Sequence, residues 1–427
     1  MLPPSPPKSV TIIGASVGGL TLALVLKRYG IQSRFFELRE PDHDFDGAVS
    51  LTPNALRVVD SIGAYSRIKH QGFNFDAMTF LTDPEHEITG KLYFGQKDVY
   101  GYDGIRITRK VLIRELRQMV EEAGIEIHYG QKFTRVVRED DNGVEFEFAD
   151  GSREKADLLI GADGIHSKVR SYLSPDIHPH YGGFLGLTYC FPRANVQLDD
   201  DFPLPVSLRG EHGSFIITPQ AEGGKEIFVG RQYKYEPQDR AGWAAMLRDK
   251  QAVVNMLQRD PNAWTPLVQS VQAQASTPDA HFLNVWPFYT VPKMDRWHSS
   301  TGKVVIIGDA AHAIPPSAGQ GANQAFEDAY SFGMLLATLN GKSSWSDALT
   351  AWEAYRMERM DEVLTLTNRL MTIRMTKEER ASVPKDMRWE LDWSDAGKSQ
   401  LGWLYLVDID RDVKGLVKTL EARARNR

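Results

Sequence analysis

The segment from Val10 to Glu37 constrains this chain more than any other. A β-branched run, Val10 to Ile13, leads straight into Gly14-Ala15-Ser16-Val17-Gly18-Gly19. An apolar, helix-like stretch follows from Leu20 to Tyr29, and Gly30 stops it. Ser33-Arg34-Phe35-Phe36-Glu37 then reads as a second strand. A strand, a glycine turn, a helix and a strand within about 30 residues is the pattern that binds a dinucleotide. The first glycine permits the tight turn and the last allows helix and strand to pack closely. The middle place normally lets backbone approach a pyrophosphate, and here it is Ser16. A small hydroxyl fits there and can donate to a phosphate oxygen. The helix that starts at this turn points its positive end at the anion.

Glu37 lies 18 residues beyond Gly19. A carboxylate at the end of the second strand accepts hydrogen bonds from ribose hydroxyls and repels a 2′-phosphate. The expected nucleotide is therefore FAD-like or NAD-like rather than NADP-like. A loop turn beside a surface acid is the plain alternative. Gly14-x-Ser16-x-Gly18 also matches the nucleophile elbow of α/β-hydrolases. That elbow needs several strands before it, and only nine residues precede Val10.

Further along, Arg109 to Gly124 reads as a helix ended by glycine. Lys132 to Glu139 and Val144 to Phe148 alternate as two strands around an Asp-Asn-Gly turn. Leu158 to Gly161 is a buried strand leading into Ala162-Asp163-Gly164. From Tyr181 to about Val291 short strand-like runs alternate with loops rich in Pro, Gly and Asp. These runs are Gly186 to Phe191, Gly213 to Thr218 and Lys225 to Tyr235, with one helix over Trp243 to Arg259. Lys303 to Ile307 returns to a parallel-type strand. A helix over Gln320 to Leu339, capped by Gly341, and another over Ser346 to Met371 follow. The tail holds Trp389, Trp393 and Trp403, read as packing residues.

Composition narrows the partners. The chain has 427 residues, 42% hydrophobic and 25% charged, which suits a soluble globular protein of two or three domains. Its 50 basic and 56 acidic residues leave a net charge of -6. That balance gives no basic footprint for nucleic acid and no polybasic membrane anchor. The one cysteine, Cys190, forms no internal disulfide and no Cys-rich zinc site. The proline-rich start lacks an apolar signal core, and no run of 18 uncharged apolar residues suggests a transmembrane segment. A cytoplasmic protein is expected. His178 and His180 form an H-x-H without a placed third ligand and are read as loop histidines, so no metal is expected.

The strongest signal is Gly308-Asp309-Ala310-Ala311-His312-Ala313-Ile314-Pro315-Pro316-Ser317-Ala318-Gly319-Gln320-Gly321-Ala322-Asn323. A buried strand ends and presents Asp309, prolines and glycines shape a loop, and a helix starts near Gln320. Asp309 suits a ribityl hydroxyl. The helix start offers N–H groups and positive dipole to the N1/O2 edge of a flavin, where charge gathers on reduction. His312 is read as structural.

This stretch resembles the GD motif of group A FAD-dependent monooxygenases, the aromatic-hydroxylase type. Ala162-Asp163-Gly164-Ile165-His166-Ser167-x-x-Arg170 resembles the same family's DG motif. The three motifs stand in the family's order over about residues 8–175 and 285–375. The resemblance extends to fungal secondary-metabolite hydroxylases, salicylate-hydroxylase-like enzymes and tetracycline-inactivating monooxygenases. It implies that Gly14, Ser16 and Gly19 meet the FAD pyrophosphate and Glu37 the adenosine ribose. Gly47 and Ala48 match the loop passing close to the flavin, and Arg109 matches an FAD-contacting arginine. Asp163 matches the DG aspartate, used around FAD and in NAD(P)H handling. Asp309 would bind the ribityl chain, and Gly321, Ala322 and Asn323 the isoalloxazine edge. Asp46 is a candidate acid beside the substrate, and Tyr189 and Phe228 are candidate substrate-facing residues on the insert strands.

The implied fold is α/β: a discontinuous Rossmann-like FAD domain of the GR2 type, an inserted β-sheet substrate domain and a helical C-terminal tail. The expected FAD domain covers 1–72, 100–177 and 290–372. The substrate domain covers 73–99 and 178–289, and the tail 373–427. The implied reaction uses NADPH or NADH and O2, through a C4a-hydroperoxyflavin, to hydroxylate or epoxidise a hydrophobic aromatic or polycyclic molecule. A flavin-dependent halogenase or reductase on the same fold is one alternative, although the Trp-x-Trp-x-Ile-Pro of halogenases is not found. A non-redox, GDI-like binding protein is the other.

Overall fold

A computed structural model describes residues 7, 9–43, 47–199, 201–339, 343–389 and 400–425. β1 (Ser9–Ile13), α1 (Val17–Arg28) and β2 (Gln32–Phe36) form the opening unit. Ile12, Leu20, Leu22, Val25 and Leu26 are all fully buried, so α1 seats its apolar face on the sheet.

β1 and β2 belong to a five-stranded parallel sheet, in the order Val304–Ile306, Leu158–Gly161, β1, β2, Ile127–His128. The three middle strands therefore come from residues 9–13, 32–36 and 158–161. Their carboxyl ends carry the Gly14 turn, Glu37 and Ala162-Asp163. Gly308-Asp309 follows the outer strand Val304–Ile306. Ligands bind at that end of an open parallel sheet.

The hairpin Phe133–Asp140 with Gly143–Phe148 is extended by Arg153–Ala156 into an antiparallel three-stranded sheet. A small sheet pairs β3 (Ala48–Leu51) with Gly104–Thr108 and Phe73–Phe75. The largest sheet has seven strands. Its order is His281–Thr290, His180–Pro192, Glu226–Lys234, Gly213–Gln220, Val206–Gly210, Ala77–Thr82, Ile88–Tyr93.

That sheet is a partition, because side chains alternate across it. Leu185, Leu187, Tyr189, Phe191, Phe215, Ile217, Ile227 and Val229 are buried on one face. They pack with Trp243, Val253, Leu257, Val268 and Val271 from the helices that cover it. Met78, Phe80 and Leu92 join the other apolar cluster, which contains the parallel sheet.

The expected single helix over Trp243 to Arg259 is corrected to two, Arg240–Arg248 and Lys250–Leu257. Asp249 leaves helical geometry, and its carboxylate accepts from Ala252 N at 3.0 Å. A competent N-cap beats a weak apolar period there.

α2 (Pro53–Ser61) follows β3. The Gly321–Thr338 helix packs on α1 and runs on to the long Trp345–Met371 helix; Gly341 lies outside the described residues. The tail helix Ile409–Arg425 buries Val413, Val417 and Leu420 against the same core. Among the described residues no helix is long and apolar enough to cross a membrane.

Candidate functional site

Gly14 has φ +101°, and its N–H donates to Phe36 O at 2.9 Å. A Cβ on Gly14 would lie 2.5 Å from Ala162 O, and one on Gly19 would lie 2.4 Å from Gly14 O. Only glycine lets the helix begin so close to both strands. Ser16 is the N-cap of α1, and its Oγ accepts from Gly19 N at 3.3 Å. That leaves its O–H as a donor. No acidic residue occupies the first turn, so the positive end of α1 is not neutralised by its own helix.

Glu37 is buried at the end of β2. Its two oxygens accept from Ala15 N at 2.6 Å and Arg39 N at 2.9 Å. The carboxylate thus braces the glycine turn as well as marking the strand end. A carboxylate has about four lone-pair positions, so capacity for further donors remains.

Asp163 Oδ2 accepts from Lys168 N at 2.7 Å and Val169 N at 3.3 Å, holding the start of the Lys168–Leu173 helix. Its Oδ1 has no hydrogen-bond partner, and burial pushes this carboxyl above its ordinary range. Arg170, the last residue of the same motif, donates to Ala310 O at 3.0 Å and Ile165 O at 2.6 Å. The two distant motifs are thereby locked to each other.

Around Asp309 four predicted positions converge. A Cβ on Gly321 would lie 3.9 Å from Asp309 Oδ1. Burial lowers the Arg109 guanidinium, and the facing charge of Asp309 opposes that shift. Arg109 N donates to Gly47 O at 2.9 Å, and Ala48 pairs with Thr108. No side chain caps the Gly321–Thr338 helix, so its first N–H groups keep their donor capacity.

The Asn323 side chain is used structurally, while the expected flavin-edge contact concerns the backbone N–H groups of this helix start. That side chain is fully buried, accepts from Thr52 N at 2.9 Å and donates to Ser50 O at 2.9 Å and Gly319 O at 2.6 Å. It fastens the helix start to β3.

Behind that helix lies a buried ionic network which the sequence reading misses. Arg356 donates to Glu327 and Asp328, each at 2.7 Å, and Arg359 donates to Glu327 at 3.0 Å. Asp328 also accepts from Gly308 N at 2.8 Å and contacts His312 Nε2 at 2.6 Å. Burial works to raise both carboxyls, yet the cations prevail. Arg359 and Arg356 hold Glu327 at about 2, and His312 and Arg356 carry Asp328 well below the carboxylate range. The available signal was Arg356 and Arg359 at i,i+3, one face of a helix otherwise buried.

The insert candidates separate. Tyr189 does not face an open surface. It is fully buried on the helix-covered side, and its O–H donates to Val271 O at 2.8 Å. Phe228 is one place off in register, pairing with Cys190, and so points to the opposite face. There Arg106 lies over its ring, 4.4 Å from the centroid. Asp46 and Trp393 lie outside the described residues. Trp389 is buried and Trp403 exposed, with Arg359 over its ring. A groove of about 550 Å³ lined by Ser9, Arg34, Arg138 and Asp157 sits at the amino ends of β1 and β2, remote from all these residues.

The model of the family described as "FAD binding domain" matches residues 8–367. The chain is 28% identical over 400 residues to 3-amino-4-hydroxybenzoate 2-monooxygenase of Streptomyces cremeus, covering 93% of this chain and 94% of that protein. Klebsiella pneumoniae HpxO, solved with FAD and uric acid, superposes with a TM-score of 0.72 at 22% identity, over 96% of each chain. A salicylate hydroxylase substrate complex gives 0.72 at 21% identity, over 96% of this chain and 98% of that one.

Proposed function

The chain belongs to the FAD binding domain family and is an FAD-dependent monooxygenase, an oxidoreductase; we propose that it hydroxylates or epoxidises an aromatic or polycyclic small molecule. When bound, FAD reduced by NADPH or NADH would supply the oxygen chemistry, with one atom of O2 going to the substrate and the other to water. The protein's task is to hold that group, exclude water and align the substrate.

The residues present fit FAD. Gly14 and Gly19 leave a turn that a Cβ would fill, α1 carries no acid in its first turn, and no side chain caps the Gly321–Thr338 helix. We assign Gly14, Ser16 and Gly19 to the pyrophosphate, Glu37 to the ribose, and Asp309 to the ribityl chain. Arg109, Gly47 and Ala48 would flank the flavin, with Gly321 and Ala322 offering N–H groups to its electron-rich edge. Asn323 positions that helix, and Asp163 and Arg170 position the loop. We propose a GR2-type discontinuous FAD domain, with the seven-stranded sheet and its helices as the substrate part; the separate apolar cluster between that sheet and its helices supports the division.

One observation carries the reading: residues 47, 109, 309 and 321, far apart in sequence, meet at one place. The test is to purify the protein, record its visible spectrum and follow NAD(P)H oxidation with aromatic and polycyclic candidates. Flavin bands with substrate-stimulated oxidation support the reading. Colourless protein that refuses FAD would favour a non-redox binding module instead.

A further inference from the structure

Two arginines lie within range of each other's charge on the Phe228 side of the seven-stranded sheet. Arg106, on the strand Gly104–Thr108, donates from Nη1 to Ser50 Oγ at 3.2 Å and stacks over Phe228. Its Nε has no hydrogen-bond partner. Arg374, which closes the long helix's extension, donates from Nη2 to Ser317 O at 3.2 Å. The Ser317 hydroxyl is buried and likewise has no partner. Ser50 and Ser317 flank Gly319, at the loop that delivers the Gly321–Thr338 helix.

Neither guanidinium has a carboxylate partner among the described residues, unlike Arg356 and Arg359. Burial pushes Arg106 down to about 10, and burial followed by the charge of Arg106 does the same to Arg374. The ionisable neighbour that favours Arg106 is Cys190, whose thiol burial pushes up to about 12, so it stays neutral and supplies no counter-charge. Two partly desolvated like charges without an anion are costly. The phosphate-type site at Gly14 involves neither residue.

Resting on the monooxygenase reading, we propose that Arg106 and Arg374 form the anion-binding end of the substrate site, so that the substrate is an aromatic molecule bearing a carboxylate or a similarly acidic group. The anion takes the vacant donors of both guanidiniums, Arg106 Nε among them, in the bidentate geometry that arginine offers. The aromatic body lies along Phe228, on the face opposite Tyr189. Arg106 and Arg374 are thus specificity-determining residues, not oxygen-transferring ones.

The test compares salicylate, 4-hydroxybenzoate and anthranilate with their amides, by calorimetry on the full-length protein as purified with its flavin. Acids should bind roughly tenfold to a hundredfold more tightly than amides, the range for a hydrogen bond gained by a charged group. Arg374→Met and Arg106→Met should erase that preference, and Arg374→Lys should restore part of it, with flavin content reporting that each variant folds. Acids and amides binding alike, or no acid binding, would overturn the proposal while the flavin spectrum leaves the monooxygenase reading intact. A preference that survives both methionine variants would overturn it as well. Protein without FAD would instead sink the monooxygenase reading, and the wild-type calorimetry still decides the anion preference.

Discussion

Arg170 reaches across 140 positions of sequence to donate to the backbone oxygen of Ala310 at 3.0 Å. One guanidinium therefore fixes the loop after Leu158–Gly161 to the loop after Val304–Ile306. Arg170→Met removes both that bond and the bond to Ile165. The expected loss is about 1–3 kcal/mol of unfolding free energy, with weaker FAD retention. Thermal denaturation and the flavin-to-protein absorbance ratio measure the two effects; unchanged values for both would contradict the coupling.

Gly14→Ala and Gly19→Ala should be severe, because each new methyl would sit about 2.5 Å from a backbone oxygen. Gly18→Ala is the control, since its methyl meets the Ala325 methyl at an ordinary 3.4 Å. Gly14→Ala and Gly19→Ala should each lose more than about 2 kcal/mol and most bound flavin, whereas Gly18→Ala should stay near wild type. Equal behaviour of all three would show that the close approach is unimportant.

Asp309→Ala takes away the carboxylate that faces Arg109. FAD should then dissociate more readily, by on the order of tenfold, as expected for losing one charge-assisted hydrogen bond. Dialysis followed by flavin fluorescence reads this directly, and full retention would remove Asp309 from the ribityl assignment.

The Glu327–Asp328–Arg356–Arg359 network makes a pH prediction. Both carboxyls lie below their ordinary values in the folded protein, so the unfolded chain binds protons first. Their contribution is complete above the ordinary carboxylate range and is lost as pH falls from about 4.5 toward about 2. The melting temperature should drop across that window. Glu327→Gln should flatten the drop, and at neutral pH should cost about 3–5 kcal/mol by leaving buried arginine charge uncompensated. An acid profile identical to wild type would exclude this network as its source.

Much of this architecture was legible because local rules acted alone. The Gly14 turn, the strand Leu158–Gly161 and the hairpin around Gly143 each follow from short-range chemistry, and their positions hold within a residue or two. Tyr189 and Phe228 were not separable in that way, because alternation says that neighbours oppose each other but not which face another layer covers. The role of the Asn323 side chain was hidden for a similar reason. Its partners Ser50 and Thr52 lie more than 270 positions away and share no motif with it. Arg106 and Arg374 carry no local signal at all; only their meeting without an acid distinguishes them from surface arginines.

The edge position of Val304–Ile306 has a consequence for how the chain is made. Leu158, Leu159 and Ile160 are fully buried, and the outer edge of their strand pairs with that late strand. While the ribosome is still producing the residues between, this apolar strand presents bare hydrogen-bonding groups, the template for pairing with a stranger. A nascent chain stopped anywhere before residue 304 should therefore clump rather than fold, and its dependence on chaperones should end once Val304, Val305 and Ile306 have emerged.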